Sequence, residues 1–231
     1  MAVPAHTAPP LPTSPDLRQV PVVLLDLDGT IVESGPGILA ALDHAFAVCG
    51  EQHPGDEVLQ GFIGPPLSDS FRGVLGLSAA RAERLRQAYN DHYLEHGVLS
   101  SAPYPGMREL IAALRAEGRT VAVATNKPES TAIRLLRNQG LADELDLIGG
   151  TDAAAGRRDK AAVIEDVLLR LGDRVRAGAV MVGDRLHDAE GAAAHGLPAV
   201  LVGWGYGGEL ERASGLPVAE TVPELSALLR G

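Results

Sequence analysis

Short apolar runs separated by longer helical patterns dominate the chain. The first run, Val22 to Leu25, is apolar at every residue, which indicates a strand buried on both faces. Such strands belong to parallel α/β sheets, in which ligands bind at the carboxyl ends of the strands. We therefore expect a parallel sheet covered by helices on both faces. The same pattern predicts further strands over 120–124, 145–149, 179–183 and 198–203.

A long segment without strand character follows the first strand. Apolar residues at helical spacing begin at Ile38, and this helix is expected to end near Gly50. Residues 1–18 hold five prolines among small residues and are expected to form a flexible leader. Further helical patterns cover 56–62, 67–75 and 78–96. We predict a helical insertion over residues 34–102 and an α/β core formed by residues 19–33 and 103–231.

Composition narrows the class of protein. The chain has 231 residues, of which 45% are hydrophobic and 3% aromatic, so it can bury a core of alanine, valine and leucine. A net charge of −10 disfavours nucleic acid and anionic membranes as partners. No apolar run has the length of a membrane span or the pattern of a signal peptide. The single cysteine, Cys49, forms no internal disulfide and suits the cytoplasm. The oligomeric state stays open.

Two carboxylates directly follow the first strand. Asp26 and Asp28 leave the strand on the same side, and Gly29 lets the backbone turn and bring amide groups close to an anion. Such a pair can supply a covalent nucleophile and a general acid and base for phosphoryl transfer. Thr30 is expected to position Asp28. The alternative is a plain turn, because aspartate, glycine and threonine are common in turns.

A second pair of carboxylates repeats this arrangement after the strand over 179–183. Asp184 is expected at the strand end and Asp188 in the first turn of a helix that begins near Leu186. Mg²⁺ prefers oxygen ligands and takes one or two carboxylates together with water and substrate oxygens. The pattern therefore predicts a Mg²⁺ site that includes Asp26, Asp28, Asp184 and Asp188. A capped helix without a metal is the alternative, and the histidines show no metal-site spacing.

Polar residues also follow the second predicted strand and open a later helix. Thr125 and Asn126 offer a hydroxyl and free amides to a phosphate, although both residue types also cap helices. Asp159 is expected to cap the helix that Lys160 begins. Lys127 and Lys160 are the two lysines among twenty basic residues. A compact ammonium can contact both a carboxylate and a phosphoryl oxygen. We expect this role for Lys160 and a solvated surface position for Lys127.

The order and spacing of these motifs resemble the haloacid dehalogenase superfamily, most of whose members are Mg²⁺-dependent phosphatases. The resemblance covers nearly the whole chain after residue 18 and implies a Rossmann-like fold. It implies that Asp26 attacks phosphorus to give an aspartyl-phosphate, with Asp28 as general acid and then base. It also implies that the Asp28 backbone carbonyl joins Asp26 and Asp184 at the metal. The implied phosphate ligands are Gly29, Thr125, Asn126 and Lys160.

An insertion after the first motif forms a helical cap over the active site in this superfamily, and the resemblance gives that role to residues 34–102. Within it, Gly64-Pro65-Pro66-Leu67 resembles the substrate-specificity loop of such caps, while an interhelical turn is the alternative. The segments Met181–Arg185 and Trp204–Gly208 look like the phosphoglycolate phosphatase and 5′-nucleotidase branch. Arg185 departs from the serine common at its position. For the second segment we favour a flexible turn with Trp204 packed on the core.

The motifs favour an enzyme that hydrolyses a small-molecule phosphate monoester. Phosphoglycolate, a nucleoside 5′-monophosphate, a sugar phosphate and a ribose 5-phosphate group of a larger secondary metabolite are all compatible. A phosphomutase is the main rival, whereas a phosphonatase needs a cap lysine and none lies between Gly29 and Asn126. A regulator that binds metal or phosphate without turnover is the non-enzymatic alternative. The set Asp26, Asp28, Lys160 and Asp184 argues against it.

Overall fold

A computed structural model describes residues 16–231. Most of the predicted leader, residues 1–15, lies outside the described part of the chain. The end of that segment forms a 3₁₀ turn over Leu17–Gln19, which the Asp16 side chain caps. Arg119 donates to the Leu17 carbonyl at 3.1 Å, so the core contacts residues ahead of the predicted boundary at residue 19.

Six parallel strands form the central sheet, and every pairing in it is parallel. The strands of the protein are β1 (Val22–Leu25), β2 (Val32–Glu33), β3 (Ala102–Pro103), β4 (Thr120–Pro128), β5 (Leu147–Thr151), β6 (Ala179–Gly183), β7 (Ala199–Val202) and β8 (Val218–Ala219). The order across the sheet is β5-β4-β1-β6-β7-β8. β1 and β6 are buried at every residue, as their continuous apolar runs predict. The predicted parallel α/β fold is confirmed.

Alternating side chains of these strands build an apolar layer on each face of the sheet. Val22 and Leu24 of β1 point into one cluster, whereas Val23 and Leu25 point into the other. The first cluster is closed by helices α7 (Lys160–Leu171) and α8 (Leu186–Ala193). The second cluster continues into the helical insertion, so that the insertion shares apolar packing with the core.

The helical insertion leaves and rejoins the core through a two-stranded antiparallel ladder. β2 pairs with β3, with Val32 opposite Pro103. Gly50 ends the first helix in the left-handed conformation, where prediction placed the end. The helices of the insertion are α1 (Gly35–Cys49), α2 (Asp56–Gln60), α3 (Leu67–Asp69) and α4 (Ala79–His92), with π-helical turns over Ser70–Val74 and Tyr93–Gly97.

The helices of the core connect the parallel strands. They are α5 (Met107–Ala116), α6 (Glu129–Asn138), α7, α8, α9 (Glu209–Ala213) and α10 (Val222–Arg230). β5 begins two residues later than predicted, because Leu145 ends a 3₁₀ turn and the Asp146 side chain accepts from Val121 N at 3.0 Å. Within residues 16–231, no helix combines the length and apolar character needed to cross a membrane.

Candidate active site

The predicted acidic residues meet at the carboxyl ends of the central strands. Asp26 follows β1 and Asp184 follows β6, and these two strands are neighbours in the sheet. Thr125 lies in β4, the neighbour of β1 on the other side. Asp26, Thr125 and Asp184 are each at most 2% exposed. The strand order therefore gathers residues that are far apart in the sequence into one buried cluster.

Lys160, the first residue of α7, forms ion pairs with two of the carboxylates. Its Nζ atom lies 2.7 Å from Asp26 Oδ1 and 2.7 Å from Asp188 Oδ1, and it donates to the Ala124 carbonyl at 2.9 Å. Burial disfavours its charged form, but Asp188 and Asp26 outweigh burial, so the pKa of Lys160 lies above its ordinary value. As predicted, the Asp159 side chain caps α7, which fixes the position where Lys160 begins the helix.

Asp184 has one hydrogen-bonded oxygen and one unpartnered oxygen. Its Oδ2 atom accepts from Tyr206 N at 2.6 Å. Its Oδ1 atom is buried and has no hydrogen-bond partner in the described part of the chain. Burial, followed by the nearby charges of Asp188 and Asp26, raises the pKa of Asp184 well above its ordinary value. A cation beside this oxygen would relieve both the burial and the repulsion.

Three of these carboxylates are close enough to share one metal ion. One oxygen from each of Asp26, Asp184 and Asp188 lies within 4.8 Å of the other two. With Asp28, the edge of the sheet holds four buried carboxylates, against two buried lysine ammonium groups. One divalent cation would balance the two excess negative charges. Because the ligands are all oxygen atoms, the residues fit Mg²⁺.

Gly29 makes possible the backbone turn that follows Asp28. Its φ angle is +80°, in the left-handed region that favours glycine. A Cβ atom at this position would collide with the Asp184 carboxylate and the Tyr206 ring. The Gly29 amide donates to the Val32 carbonyl at 2.9 Å, so the turn already uses the donor that was predicted to bind phosphate. Because glycine has no side chain, Gly29 leaves space at the site for the Asp184 carboxylate and the Tyr206 ring.

Asp28 has different partners from Asp26. Its Oδ1 atom accepts from Ser34 Oγ at 2.5 Å, and its Oδ2 atom lies 3.1 Å from Lys127 Nζ. The buried Thr30 hydroxyl has no hydrogen-bond partner among the described residues, so the expected positioning of Asp28 does not come from a bond to this hydroxyl. Ser34 is the first residue of the helical insertion, so Asp28 is bonded to the point where the insertion begins.

Lys127 is buried, and the prediction of a solvated surface position for it is wrong. The residue is 8% exposed, and its ammonium lies 4.4 Å from the centroid of the Tyr93 ring. Burial disfavours its charge, but Asp28 and two tyrosines favour it, so the pKa of Lys127 lies above its ordinary value. β4 continues to Pro128 with an irregular register after Thr125, which a simple strand pattern does not include.

One core side chain contacts the predicted specificity loop, and another contacts the residue just before it. Asn126 Nδ2 donates to the Gly64 carbonyl at 3.3 Å, and Arg185 Nη1 donates to the Ile63 carbonyl at 3.2 Å. Arg185 Nη1 also donates to the Tyr206 carbonyl at 3.2 Å. The arginine at the position of the common serine therefore links the helical insertion to the core.

The glycine-rich loop after β7 also borders the site, which the sequence reasoning missed. Trp204 packs on the core as expected, and its Nε1 atom donates to the Thr30 carbonyl at 3.2 Å. Tyr206 binds Asp184 through its amide, and its hydroxyl accepts from Gly35 N at 2.6 Å. The order of the strands could have predicted that Tyr206 lies at the site. Because β7 lies beside β6, the loops after both strands share one edge of the sheet.

A cavity of about 1050 Å³ lies between the core and the helical insertion. Asp28 and Lys127 line it from the core. From the insertion, the whole predicted specificity loop lines it, namely Gly64, Pro65, Pro66 and Leu67. The loop and the second aspartate of the first motif therefore face the same space.

A parallel sheet with acidic residues at neighbouring strand ends, a buried lysine and a helical insertion defines a hydrolase of the haloacid dehalogenase type. Residues 23–202 match the family described as haloacid dehalogenase-like hydrolase. The chain belongs to this family. The predicted family is confirmed.

Similar proteins include phosphatases of the predicted branch. A 5′-nucleotidase from Pseudomonas aeruginosa is 33% identical, with 83% of this chain and 86% of that protein covered. A phosphoglycolate phosphatase from Mesorhizobium japonicum is 33% identical, with 80% and 84% covered. Tyrosine-protein kinase PtkA from Mycobacterium tuberculosis is 38% identical over 80% of this chain, and the matched region spans 63% of that relative's length.

The fold is also similar to solved structures. The crystal structure of a predicted phosphatase from Clostridium acetobutylicum superposes with a TM-score of 0.82 at 30% sequence identity. The match covers 89% of this chain and 96% of that one. This agreement supports the same hydrolase fold for the chain.

Proposed function

We propose that the chain is a Mg²⁺-dependent phosphatase that hydrolyses a small-molecule phosphate monoester through an aspartyl-phosphate. The observation that carries the proposal is the buried cluster of Asp26, Asp184, Asp188 and Lys160 at the carboxyl ends of β1 and β6. The family match and the phosphatases among the relatives support the same activity.

Asp26 is the proposed nucleophile. Its carboxylate oxygen attacks phosphorus while the bond between phosphorus and the ester oxygen breaks, which transfers the phosphoryl group to Asp26. Lys160 lies 2.7 Å from this carboxylate and can neutralise charge on the phosphoryl oxygens. Thr125 and Asn126 are proposed as further phosphate ligands. Water then attacks the aspartyl-phosphate, releases inorganic phosphate and restores Asp26.

Asp28 is the proposed general acid and base. As an acid it protonates the oxygen of the leaving alcohol, and it then accepts a proton from the attacking water. Its position at the cavity supports this role, because the alcohol leaves through the space that Asp28 lines. Ser34 and Lys127 hold its two carboxylate oxygens in place.

Mg²⁺ is proposed to bind at Asp26, Asp184 and Asp188. The resemblance to the superfamily adds the backbone carbonyl of Asp28. The unpartnered Asp184 Oδ1 atom and the two excess negative charges of the buried cluster support a divalent cation. When bound, the ion would offset charge on the carboxylates and on the phosphate, which otherwise repel each other.

We also propose that residues 34–102 act as a cap over the core formed by residues 19–33 and 103–231. The hydrogen bonds from Asn126 to Gly64 and from Arg185 to Ile63 support a cap that rests on the core. A cap in this position excludes water from the cavity and orients the substrate. The cytoplasm stays the expected compartment, because the sequence has a single cysteine and therefore no internal disulfide.

The release of inorganic phosphate from p-nitrophenyl phosphate, with and without Mg²⁺, tests this proposal. We expect Mg²⁺-dependent turnover that Asp26→Asn reduces by several orders of magnitude while the protein stays folded. Acid quench with a ³²P-labelled substrate should trap phosphate on the wild type and not on the variant. Turnover by the variant near the wild-type rate, once deamidation to aspartate is excluded, would contradict the covalent mechanism.

Two other outcomes would favour the rival functions. Transfer of the label to a second hydroxyl of a sugar phosphate, with little inorganic phosphate released, would indicate a phosphomutase. Binding of Mg²⁺ without turnover of any ester would indicate a regulator. The kinase activity is named for a mycobacterial relative of which the matched region spans 63% of the length.

A further inference from the structure

Tyr206 links the acidic cluster to the start of the helical insertion. Its backbone amide donates to Asp184 Oδ2 at 2.6 Å, beside the proposed metal site. Its hydroxyl accepts from Gly35 N at 2.6 Å, where the insertion leaves the core. Tyr206 is not among the described residues that line the cavity. Any role in the reaction therefore acts through the residues that Tyr206 holds.

The Tyr206 hydroxyl takes over part of the capping of α1. Ser34 precedes this helix, and a serine in that position commonly accepts from a free amide of the first turn. Here the Ser34 side chain makes no such bond, and its hydroxyl donates instead to Asp28 Oδ1 at 2.5 Å. The amide of Gly35 lies in the first turn, where the helix itself offers no acceptor, and the Tyr206 hydroxyl accepts from it. Tyr206 thereby leaves the Ser34 hydroxyl available to Asp28.

Two glycines leave space for the Tyr206 ring. A Cβ atom at Gly35 would lie 2.9 Å from Tyr206 Cε1, and a Cβ atom at Gly29 would lie 2.7 Å from Tyr206 Cδ2. Both distances are shorter than the roughly 3.5–4.0 Å of van der Waals contact between carbon atoms. The backbone of Tyr206 is also held, because Arg185 Nη1 donates to its carbonyl at 3.2 Å. The ring and the backbone of Tyr206 are therefore both fixed in position.

We propose that Tyr206 is a positioning residue that couples the metal site to the general acid. Its amide orients the Asp184 carboxylate for the cation. Its hydroxyl holds the amide of Gly35, so that Ser34 stays in reach of Asp28. This inference rests on the proposed phosphatase function. Because coupling between two sites is reciprocal, a cation bound at Asp184 should order the start of the insertion.

Hydrogen exchange with and without Mg²⁺ tests the coupling in the absence of turnover. In the wild type, Mg²⁺ should slow amide exchange in residues 34–37 and in residues 205–208. In Tyr206→Phe, Mg²⁺ should still slow exchange in residues 205–208, because the backbone amide keeps its bond to Asp184. The variant should lose most of the slowing in residues 34–37. Equal slowing of residues 34–37 in both proteins would overturn the proposal, and so would wild-type slowing confined to residues 205–208.

Kinetics test whether the link reaches Asp28. Tyr206→Phe should reduce kcat for an alkyl phosphate about 2- to 10-fold, the range typical of one hydrogen bond. The reduction for p-nitrophenyl phosphate should be less than about twofold, because nitrophenolate leaves without a proton. KM for both esters should stay within about twofold of wild type, since the substitution removes no contact with the cavity. Equal reductions of kcat for the two esters would contradict a role toward the general acid.

Tyr104→Phe is the matched control. The Tyr104 hydroxyl lies beside the Tyr206 hydroxyl, but the amide of Gly35 donates to Tyr206. Loss of the Tyr104 hydroxyl should leave the Mg²⁺ effect on residues 34–37 unchanged. It should alter the ratio of kcat for the two esters by less than about twofold. Effects as large as those of Tyr206→Phe would contradict the assignment to the bond with Gly35.

Hydrolysis of p-nitrophenyl phosphate by the wild type separates failure of this inference from failure of the proposed function. If the wild type hydrolyses the ester with Mg²⁺, and Tyr206→Phe changes neither exchange nor the ratio of kcat values, only the coupling is wrong. If the wild type is inert toward the ester with Mg²⁺, the phosphatase function is wrong, and the role of Tyr206 toward a general acid is withdrawn with it.

Discussion

Asp26 and Asp28 are two residues apart, yet each forms an ion pair with a different lysine. Lys160 pairs with Asp26, and Lys127 pairs with Asp28. Lys160 also contacts Asp188 within the acidic cluster, whereas Lys127 lines the cavity and contacts the Tyr93 ring. Different surroundings let two neighbouring carboxylates take different roles. This arrangement suits a nucleophile at the cluster and an acid and base at the cavity.

The role of Asp28 as general acid predicts that the decrease in kcat on its substitution depends on the leaving group. Asp28→Asn should reduce kcat by about 10²–10⁴ for an alkyl phosphate, because the variant cannot protonate the alkoxide. The reduction should be smaller for p-nitrophenyl phosphate, since nitrophenolate leaves without a proton. Single-turnover rates for both esters provide the measurement. Equal reductions for the two esters would rule out the assignment of Asp28 as the acid.

The pairing of Lys127 with Asp28 predicts a stability effect. Lys127→Met leaves a buried carboxylate without its cation, which should reduce the free energy of unfolding by about 3–5 kcal/mol. The double variant Lys127→Met with Asp28→Asn removes both charges and should lose less than the single lysine variant. Urea unfolding of the wild type, both single variants and the double variant measures the coupling. If the two losses simply add, the pair does not stabilise the fold.

At the scale of elements, the apolar pattern predicted five of the six strands of the sheet, because strands such as β1 and β6 are apolar on both faces. It missed the edge strand β8, which has only two residues and therefore shows no apolar run. It also placed Asp184 and Asp188 correctly around the start of α8. It could not place Lys127 or Tyr206. Their contacts with Asp28 and Asp184 depend on the irregular end of β4 and on the order of the strands, and neither is visible in local periodicity.

Arg185 gives a prediction about how the helical insertion is held. Its guanidinium donates to the Ile63 carbonyl, so Arg185→Ala should loosen Ile63 and the predicted specificity loop that follows it. We expect faster amide hydrogen exchange in this loop and a decrease in kcat/KM of about tenfold or more, as for loss of a charged hydrogen bond.

Arg134→Ala is the matched control, because Arg134 is exposed on α6 and forms no ion pair with the described residues. It should change neither exchange in the loop nor turnover. If Arg185→Ala slows turnover but leaves exchange in the loop unchanged, Arg185 acts at the metal-binding residues and does not hold the insertion.

Leu67 tests whether its loop selects substrates. Leu67→Asp places a charge in the wall of the cavity and should change the order of preference across a panel of phosphate esters. Hydrolysis of p-nitrophenyl phosphate should stay within a few-fold of wild type. Leu99→Asp is the control, since Leu99 is 66% exposed in the same insertion. A parallel decrease for all substrates would indicate a structural role or a general effect on closure.

At the scale of the whole molecule, apolar packing joins the insertion to the core beside an open cavity. One buried cluster runs from the sheet into the insertion and includes Leu25, Phe62 and Phe71. The space between the two parts is lined by both charged and apolar side chains and stays open as a cavity. The molecule therefore has an apolar connection on which the insertion can rest and a cleft of mixed character that can admit a substrate.

The buried acidic cluster should make the stability of the whole molecule depend on Mg²⁺. The chain carries two more buried negative than positive charges at this edge of the sheet, and burial raises the pKa of Asp184, so the metal-free state is destabilised at neutral pH. Mg²⁺ at about 100 times its Kd should add roughly 2.7 kcal/mol. For a chain of this size, that corresponds to a rise in Tm of roughly 5–10 °C.

Asp184→Asn separates this effect from nonspecific salt stabilisation. The variant keeps an oxygen for the Tyr206 amide but removes one buried charge, so without Mg²⁺ its Tm should be higher than that of the wild type. Its Tm should respond much less to Mg²⁺, because a ligand with a formal charge has been lost. Thermal unfolding of both proteins in EDTA and in Mg²⁺ at constant ionic strength provides the comparison. Equal responses of the two proteins to Mg²⁺ would mean that the ion binds elsewhere or that Asp184 is not one of its ligands.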